Sequence, residues 1–593
     1  MTDPAPEAPS GTLRLRGIAG SMGVAIGPAV VTGHTTARFK QRHIADRDVD
    51  AEILRFQAAV RHAKAGIRKV MQRAGHLGAE LTILEAYTLM LGDPILAEET
   101  ERFIRVDRQC AEWAVARTIE GMAAQVLSAD DLYLRERGHD FQFVGDMIVR
   151  ALRGDRENQA LLKLERPSIV VAHDLSPADT AAMVREPVIA LVTEVGTRTS
   201  HTSIMARALE IPAVVGVADA LARINSGDEI VVDALLGEVI VSPGADDLLL
   251  AREREQQYLT KCRRLRHTRD RTPTTACGVP VALRANIELP GEALLAVDHG
   301  AQGIGLYRTE FMYVDRATPP TEDEQYELYR TVIQTMAPHP VTLRTFDIGG
   351  DKFVSSFALP AELNPALGLR AVRLALASPD LFLAQLRAMV RASVHGPMQI
   401  MIPMIATLAE LRQVRSLLQR AIGQVDSRGQ PRAPRIPLGA MIEIPSAAIL
   451  ADSFAREADF LSIGTNDLVQ YTLAADRTSQ ALAHLATPYD PSVLRLVHGV
   501  AAAGRRRDRV VSLCGEMASE PLGAILLVGL GLRDLSMESS SVPEIKEAIH
   551  RVTLDEAEAV AKAVLEMDTA DAVTSELERA FGPRLTDLLT ISG

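Results

Sequence analysis

One histidine in this chain stands in a setting suited to covalent chemistry. His201 lies among hydroxyl-bearing residues in the segment GTRTSHTSIMAR, which runs from Gly196 to Arg207 after an apolar run that ends at Val195. This pattern is typical of a first helical turn, where unpaired N–H groups and the helix dipole favour an anion. With Arg198 nearby, the imidazole could carry a phosphoryl group as a covalent phosphohistidine. The alternative is an ordinary core or loop histidine.

Two carboxylates further along the chain could bind a metal ion. Glu443 lies in MIEIPSA and Asp467 in SIGTNDLVQY, each directly after an apolar, β-like run. Hard oxygen ligands that leave other positions open suit Mg²⁺ held jointly by the protein and an anionic substrate. Taken singly, either carboxylate could instead be a helix cap or a solvated side chain.

Three arginines have the chemistry to complement such a metal. Arg308 in GLYRTEF, Arg344 in LRTFD and Arg477 in AADRTSQ could each make forked contacts to carboxylate or phosphate oxygens. Each one alone could be a surface charge. Together with a metal ion they indicate a site for a small, multiply charged phosphate ester.

One cysteine closes another apolar run. Cys514, in VVSLCGEMA, could be a buried small hydrophobic residue, or its thiol could deliver a proton to the carbon of an enolate. The chain has four cysteines, which are widely spaced and form no CxxC pair. This spacing suggests neither a zinc ribbon nor a disulfide framework.

The elements that must position these residues alternate between strand and helix from Cys277 onward. Eight apolar runs recur with helical segments between them: Val281 to Asn286, Gly303 to Arg308, Val341 to Asp347, Gln399 to Met404, Leu438 to Glu443, Phe460 to Thr465, Val510 to Cys514 and Leu535 to Ser539. The pattern predicts a (β/α)₈ barrel, in which chemistry collects at the C-terminal strand ends. A doubly wound sheet is the alternative.

The first half of the chain predicts a different organisation. A glycine-punctuated β-like run from Leu13 to Val31 and short β-branched runs between Pro167 and Pro243 indicate a compact α/β domain. Helical periodicity between these parts indicates an inserted helical bundle. We predict one helix through Ile53 and Ile67, a second from Leu81 that stops at Asp93-Pro94, and two more around Ala111 to Leu127 and Phe141 to Leu152. We predict a disordered N-terminus over residues 1–12, the α/β domain over 13–48 and 156–243, the helical subdomain over 49–155, a linker helix over 244–273 and the barrel over 274–593.

The composition excludes several classes of protein. The 593 residues carry a net charge of −12, which argues against a general nucleic-acid or membrane-surface binder. No apolar run approaches the roughly 20 residues that a transmembrane helix needs. The first twelve residues lack the form of a signal peptide, so we expect a cytoplasmic protein.

Several motifs resemble one enzyme family. The run TSHTSIMARALEIPAVVG, from Thr199 to Gly216, resembles the active-site signature of enzyme I of the bacterial phosphoenolpyruvate-dependent phosphotransferase system. The barrel motifs GIGLYRTEF, LRTFDIGGDK, EIPSA, SIGTNDLVQYTLAADR and CGEMA are similar to that family's as well. Three positions depart from the family pattern: Thr197 replaces a usual second glycine, Tyr87 a frequent histidine and Phe143 an acidic residue.

The resemblance implies a reaction and a role for each residue. It implies that phosphoenolpyruvate phosphorylates His201 in a phosphohistidine swivel domain, and that the phosphoryl group then passes to a histidine of a carrier protein. It further implies a carrier-docking helical subdomain and a homodimer formed through the barrel. The implied roles are Mg²⁺ ligands for Glu443 and Asp467, phosphate clamps for Arg308 and Arg344, substrate contacts for Asn466 and Arg477, and a proton donor for Cys514.

Two rival functions stay open at this point. A related dikinase or synthase would charge His201 from ATP, although we find no phosphate-binding glycine loop before residue 190. A non-catalytic regulatory module could keep the fold and bind a partner through its helical block. If the chain is of the enzyme I type, the sequence does not separate sugar uptake from a regulatory phosphorelay.

Overall fold

The structure is a computed structural model that describes most of the chain. The described residues are 12–32, 41–73, 90–127, 144–145, 147–149, 151–152, 164, 166–175, 187–196, 201–208, 211–313, 319–349, 364–476, 482 and 485–589. They divide into two compact units, one ending at Thr260 and the other starting at Lys261. The finer boundaries of the α/β domain and its helical insertion stay predictions.

The first unit contains an eight-stranded sheet. Its strands are β1 (Leu13–Arg16), β2 (Ile18–Ser21), β3 (Val24–Thr32), β4 (Ser168–Ala172), β5 (Val188–Thr193), β6 (Ala213–Val215), β7 (Glu229–Asp233) and β8 (Glu238–Val241). Their order in the sheet is β1-β8-β7-β3-β4-β5-β6-β2. Neighbours from β3 to β6 run parallel, and the outer pairs run antiparallel.

Buried β-branched residues explain the parallel centre of this sheet. All five residues of β4 and most of β5 are buried, as expected for parallel strands covered on both faces. The β-like run predicted from Leu13 to Val31 is three strands rather than one. Gly17 marks the first break, where an added Cβ would lie 2.6 Å from a backbone oxygen, and Gly23 marks the second with φ +135°.

Helices between β3 and β4 form a separate apolar core within the first unit. They are Val49–Arg73, Pro94–Arg105 and Ala111–Leu127, and the described residues from 144 to 152 are also helical. The helices Val49–Arg73 and Ala111–Leu127 lie where the sequence predicts helices. The helix predicted through Leu81 and Leu84, together with Tyr87 and Phe143, lies outside the described residues.

One helix of this block is not predicted by the sequence analysis. Asp93-Pro94 resembles the end of a helix in sequence, but it begins the helix Pro94–Arg105. The Asp93 side chain accepts a hydrogen bond from the backbone N–H of Ile95 at 2.8 Å. Proline fits the first helical position because its missing N–H would have no partner there.

The other described helices of the first unit are His201–Ala208, Ala220–Arg223 and Ala245–Arg266. The last of these lies within the span 244–273, whose role as a linker stays a prediction, and the boundary between the two units falls within this helix.

The second unit is a closed barrel of eight parallel strands. They are β9 (Ala282–Ile287), β10 (Ile304–Arg308), β11 (Val341–Arg344), β12 (Met398–Ile402), β13 (Leu438–Ile442), β14 (Leu461–Ile463), β15 (Val511–Leu513) and β16 (Asp534–Glu538). Each strand pairs with its neighbours in chain order, and β16 closes the ring on β9. The predicted (β/α)₈ barrel is confirmed, and the doubly wound alternative is wrong.

Helices follow the barrel strands and cover them. They are Glu292–Asp298, Glu322–Met336, Val372–Ala377, Pro379–Ala392, Leu408–Ser427, Pro445–Ile449, Ala451–Glu457, Thr465–Leu473, Pro491–Arg507, Pro521–Gly529, Val542–His550, Leu554–Leu565 and Ala570–Leu589. Three of them begin with a capping box, at Thr321, Thr407 and Thr553. In the described part of the chain, no helix combines the length and apolarity needed to cross a membrane.

Candidate active site

The barrel brings six of the predicted site residues to one end. Arg308 and Arg344 are the last residues of β10 and β11, whereas Glu443 and Cys514 directly follow β13 and β15. Asn466 and Asp467 lie in the first turn of the helix after β14. Because all eight strands run parallel around the ring, these positions share the C-terminal mouth of the barrel.

Arginines and carboxylates at this mouth form a connected network. Arg344 pairs through Nη2 with Glu310, and its Nη1 lies 3.5 Å from Oδ2 of Asp347. Arg370 donates from Nη2 to both oxygens of Asp347, at 3.0 and 2.9 Å, and its Nη1 lies 3.7 Å from Oδ1 of Asp467. Each charge in this network is therefore held in place by at least one opposite charge.

The ion pairs keep the two guanidinium groups charged. Burial by itself would lower the pKa of Arg344 and Arg370, but the neighbouring carboxylates outweigh burial and raise the pKa of both. Glu310 has the largest such effect on Arg344, and Asp347 on Arg370. Both side chains are fixed positive charges at any pH the protein meets.

The surroundings of Glu443 disfavour its ionised form. It is fully buried, and the backbone N–H of Met404 donates to its Oε1 at 2.5 Å. Burial, followed by repulsion from Asp467 and Asp347, raises the pKa of Glu443 to about 8. A carboxyl group with this pKa needs either a proton or a nearby cation at neutral pH.

The mouth carries more acid than base. Its described acids include Glu288, Glu310, Asp347, Glu443, Asp467 and Glu516, and its described bases include Arg308, Arg344 and Arg370. If all of these groups ionise, the carboxylates outnumber the guanidinium groups. A cation could offset that excess of negative charge.

One carboxylate oxygen is also left without a hydrogen bond. Asp467 is buried, yet no hydrogen-bond donor among the described residues reaches its Oδ1. Such an orphaned oxygen is costly unless another ligand satisfies it. The donor set therefore fits a divalent cation bound by Glu443 and Asp467. Among the described residues no three His, Cys, Asp or Glu side chains cluster as a metal site, so substrate and water would complete the shell.

The side chain of Arg308 is more exposed than that of Arg344. Its Nη1 donates to Glu288, and more than a quarter of its side chain is exposed at the mouth. Burial acts first on the pKa of Arg308 by lowering it, but Glu288 more than compensates and the pKa is raised. Among the described residues, only Glu288 accepts a hydrogen bond from this guanidinium, so its other N–H groups could bind an anion at the barrel mouth.

Cys514 is a buried thiol with a suppressed acidity. It packs with Leu306, Met401, Met441 and Phe460, and burial raises its pKa to about 11. The thiol is therefore protonated at neutral pH. A protonated thiol is the form that could donate a proton to carbon.

Asn466 contacts a loop residue rather than open space. Its Nδ2 donates to Oε1 of Glu516 at 2.9 Å, and its Oδ1 accepts from the Glu516 backbone N–H at 3.2 Å. This pair ties the start of one helix to the loop that carries Cys514. Arg477, the other predicted substrate contact, lies outside the described residues.

The candidate phosphoacceptor belongs to the other unit. His201 begins the helix His201–Ala208, as predicted, while its imidazole and residues 197–200 lie outside the described part of the structure. The preceding Gly196 has φ +126°, which side chains rarely allow. Thr202 is buried, and its hydroxyl has no hydrogen-bond partner among the described residues.

Two members of the charge network are absent from the residues that the sequence analysis singled out. Arg370 lies far from any predicted strand end, and Glu310 stands inside the GLYRTEF motif without a predicted role. Arg370 pairs with Asp347 across 23 positions, and Glu310 with Arg344 across 34. No local spacing in the sequence indicates either pair, because each joins residues that are distant along the chain.

Comparisons with known proteins agree along the chain. Three family models match: the N-terminal domain of PEP-utilising enzymes over residues 16–137, their mobile domain over 164–237 and their PEP-binding domain over 263–554. Phosphoenolpyruvate-protein phosphotransferases of Bacillus sp. (strain S) and Geobacillus stearothermophilus are 40% and 41% identical over 570 residues, covering 96% of this chain and 98% of each relative. The Staphylococcus aureus protein of that name is 39% identical over 562 residues, 94% of this chain and 98% of its own.

These matches extend over nearly the full length of the relatives and place the three models in chain order. They include the segment around His201 and the barrel that carries Glu443, Asp467 and Cys514. The resemblance inferred from the motifs is confirmed, and the chain belongs to the phosphoenolpyruvate-protein phosphotransferase family, the enzyme I family.

Proposed function

We propose that this chain transfers the phosphoryl group of phosphoenolpyruvate to its own His201 and then to a histidine of a phosphocarrier protein, releasing pyruvate. This would be the first step of a sugar phosphotransferase system or of a regulatory phosphorelay. The observation that carries the proposal is the barrel mouth, where fixed guanidinium groups surround an excess of carboxylates. Such an arrangement suits a metal ion and a polyanionic substrate together.

In this proposal the arginines bind the substrate and the carboxylates bind the metal ion. Arg308 and Arg344 would contact phosphate oxygens, with Asn466 and Arg477 as further substrate contacts. Glu443 and Asp467 would hold Mg²⁺. When bound, this ion would neutralise charge on the phosphate and carboxylate oxygens of the substrate. The protein's contribution to the phosphoryl step is then mainly position and electrostatics.

Bond making and bond breaking balance in the proposed reaction. A ring nitrogen of His201 attacks phosphorus, the P–O bond to the enol oxygen breaks, and the electron pair stays on the enolate. The enolate takes the proton of the Cys514 thiol at its methylene carbon, which gives pyruvate and a thiolate. Water then returns a proton to the sulfur. Phospho-His201 afterwards passes its phosphoryl group to the carrier histidine.

The reaction requires that His201 reach the mouth of the barrel and later reach the carrier. The nucleophile and the mouth belong to different compact units, and the linker helix Ala245–Arg266 spans the boundary between them. We propose that the histidine-bearing unit moves between the two partners on this linker. The helical block would dock the carrier, and the barrel would form a homodimer.

Isotope exchange tests the proposed reaction without a carrier. Labelled pyruvate should become incorporated into phosphoenolpyruvate when the chain and Mg²⁺ are present, because phosphorylation of His201 is reversible. We expect exchange to need neither ATP nor another protein. A chain that binds partners but exchanges no label would be the non-catalytic module. Exchange that appears only with ATP would indicate a dikinase or synthase.

A further inference from the structure

A buried serine lies against the thiol that the proposed function uses as an acid. We propose that Ser462 is a positioning residue that orients Cys514 and stabilises its sulfur as the proton leaves. This inference rests on the proposed function for the role of Cys514. It adds a second group to the proton-delivery step: Ser462 is the first residue of the SIGTNDLVQY motif, but no role for it was predicted from the sequence.

The contact is specific to the sulfur atom. Ser462 is the middle residue of β14 and is fully buried. Its hydroxyl donates to Sγ of Cys514 at 3.6 Å. Burying a hydroxyl costs free energy unless it finds a partner, whereas alanine at the same position would carry no such cost. The thiol is the partner that the structure provides.

Other contacts fix the rest of the cysteine. Its thiol faces the backbone oxygen of Ile463 at 3.6 Å, and its backbone N–H donates to the same oxygen at 3.0 Å. Nδ2 of Asn286 donates to the Cys514 carbonyl at 3.0 Å. The sulfur thus accepts from Ser462 while its own hydrogen points to a carbonyl, so both of its hydrogen-bonding capacities are used.

The hydroxyl matters most once the thiol has lost its proton. A thiolate among Leu306, Met401, Met441 and Phe460 would be poorly solvated. A hydrogen bond to an ionised acceptor is stronger than one to a neutral acceptor, so the Ser462 hydroxyl favours the thiolate. Removing it should make the thiol a weaker acid and slow its proton transfer to the enolate.

Charged groups around the thiol act in both directions. Burial has the largest effect on the Cys514 pKa and raises it, and the Ser462 hydrogen bond lowers it. Glu443 on the barrel mouth raises the pKa, whereas Arg344 and Arg308 lower it. Substituting one of these charged residues would change several opposing effects on the thiol at once. The Ser462 hydroxyl is neutral, so its removal leaves all of these charges in place.

The test compares three full-length variants. Ser462→Ala removes the hydroxyl, Ser462→Thr keeps one, and Ser512→Ala removes another buried barrel hydroxyl that contacts the backbone oxygen of Leu461 instead of the thiol. We expect Ser462→Ala to lower kcat for pyruvate formation about fivefold, because the variant loses one hydrogen bond worth about 1 kcal/mol. KM for phosphoenolpyruvate should stay unchanged. Ser462→Thr should recover most of kcat, and Ser512→Ala should match the wild-type chain.

A stereochemical readout separates proton delivery from general damage. With the Z isomer of 2-phosphoenolbutyrate in deuterated water, delivery by Cys514 gives one configuration at the labelled carbon of 2-oxobutyrate. Free enolate tautomerising in solution gives both. We expect Ser462→Ala to form more of the mixed product than Ser512→Ala. A mutant with wild-type kcat and a single configuration would overturn the role of Ser462.

The outcomes also distinguish this inference from the function it builds on. If the wild-type chain forms no pyruvate, or if Cys514→Ala gives the same single configuration as the wild type, the assignment of Cys514 fails. If Cys514→Ala loses the configuration while Ser462→Ala keeps both it and kcat, the inference about Ser462 alone is wrong.

Discussion

Both ends of the barrel bury arginines together with carboxylates, but the proportion of acid to base differs between them. At the N-terminal end, Arg284 in β9 donates from Nε and Nη2 to the two oxygens of Asp534 in β16, at 2.8 and 2.6 Å. Burial raises the pKa of Asp534, and Arg284 opposes this rise. One acid meets one base there. At the mouth, the described carboxylates outnumber the described guanidinium groups.

The difference separates a structural ion pair from a binding site. The Arg284–Asp534 pair neutralises itself, so it needs no other ion, although Nη1 of Arg284 has no hydrogen-bond partner among the described residues. At the mouth, burial and then repulsion from neighbouring carboxylates raise the pKa of Glu443, and Oδ1 of Asp467 has no hydrogen bond among the described residues. Unsatisfied charge of this kind is stable only when a ligand completes it.

Removing one acid from the mouth should have the largest effect on activity. Asp467→Asn keeps the shape of the side chain but loses a metal ligand. We expect kcat for pyruvate formation to fall roughly a thousandfold, since a metal ion supplies several kcal/mol of charge stabilisation. The Mg²⁺ dependence of pyruvate release checks this. A variant that responds to Mg²⁺ as the wild-type chain does would remove Asp467 from the metal site.

Loss of the thiol should rank second. Cys514→Ala removes the proposed proton donor, and we expect label exchange between pyruvate and phosphoenolpyruvate to fall about a hundredfold. Phosphorylation of His201 in a single turnover should be less affected, because the P–O bond breaks before the carbon takes its proton. Cys277→Ala is the control, since this exposed cysteine hydrogen-bonds with Thr275 and with the backbone N–H of Leu554 and is not among the residues of the mouth. Equal exchange in both variants would contradict the assignment.

Changing the shape of one guanidinium at constant charge should have a smaller effect. Arg370→Lys keeps a cation but cannot bridge Asp347 and Asp467 with a planar fork. We expect kcat/KM for phosphoenolpyruvate to fall about tenfold. Arg373→Lys is the matched control, because Arg373 donates only to the backbone oxygens of Leu367 and Gly368 among the described residues. If the two variants behave alike, Arg370 takes no specific part in the mouth.

The opposite end of the barrel should affect stability and leave activity unchanged. Asp534→Asn leaves Arg284 as a buried, unpaired charge, and we expect the barrel to lose about 3 kcal/mol of unfolding free energy. The rate of pyruvate formation below the unfolding transition should match the wild type. Chemical denaturation and steady-state kinetics measure the two quantities. The double variant Arg284→Met with Asp534→Asn should recover part of the lost stability, because no unpaired charge then stays buried. A large loss of the rate of pyruvate formation in Asp534→Asn would contradict the assignment of this end of the barrel to stability alone.

The barrel could be predicted from the sequence because its signals are local. Each apolar run ends near a polar residue, and that pattern identifies the strand ends at Arg308, Glu443 and Cys514 without coordinates. The helix that begins at Pro94 could not be predicted in this way. An Asp-Pro pair is compatible both with the end of one helix and with the N-cap and first residue of the next.

Pairing through space was not predictable in the same way. The link between Glu310 and Arg344 joins the turn after β10 to the end of β11, and that between Arg370 and Asp347 crosses a loop, so neither has a characteristic sequence spacing. The surplus of acid at the mouth emerges only when these pairs are counted together. The contact of Ser462 with Cys514 likewise depends on the register of β14 against β15.

The central claim is that His201 accepts the phosphoryl group of phosphoenolpyruvate. The direct measurement is incubation of the wild-type chain and His201→Ala with phosphoenolpyruvate labelled in its phosphoryl group, with His62→Ala as an exposed histidine control. The account predicts acid-labile, base-stable label at one phosphoryl group per chain in the wild type and in His62→Ala, and none in His201→Ala. Label of the same kind that persists in His201→Ala would contradict it.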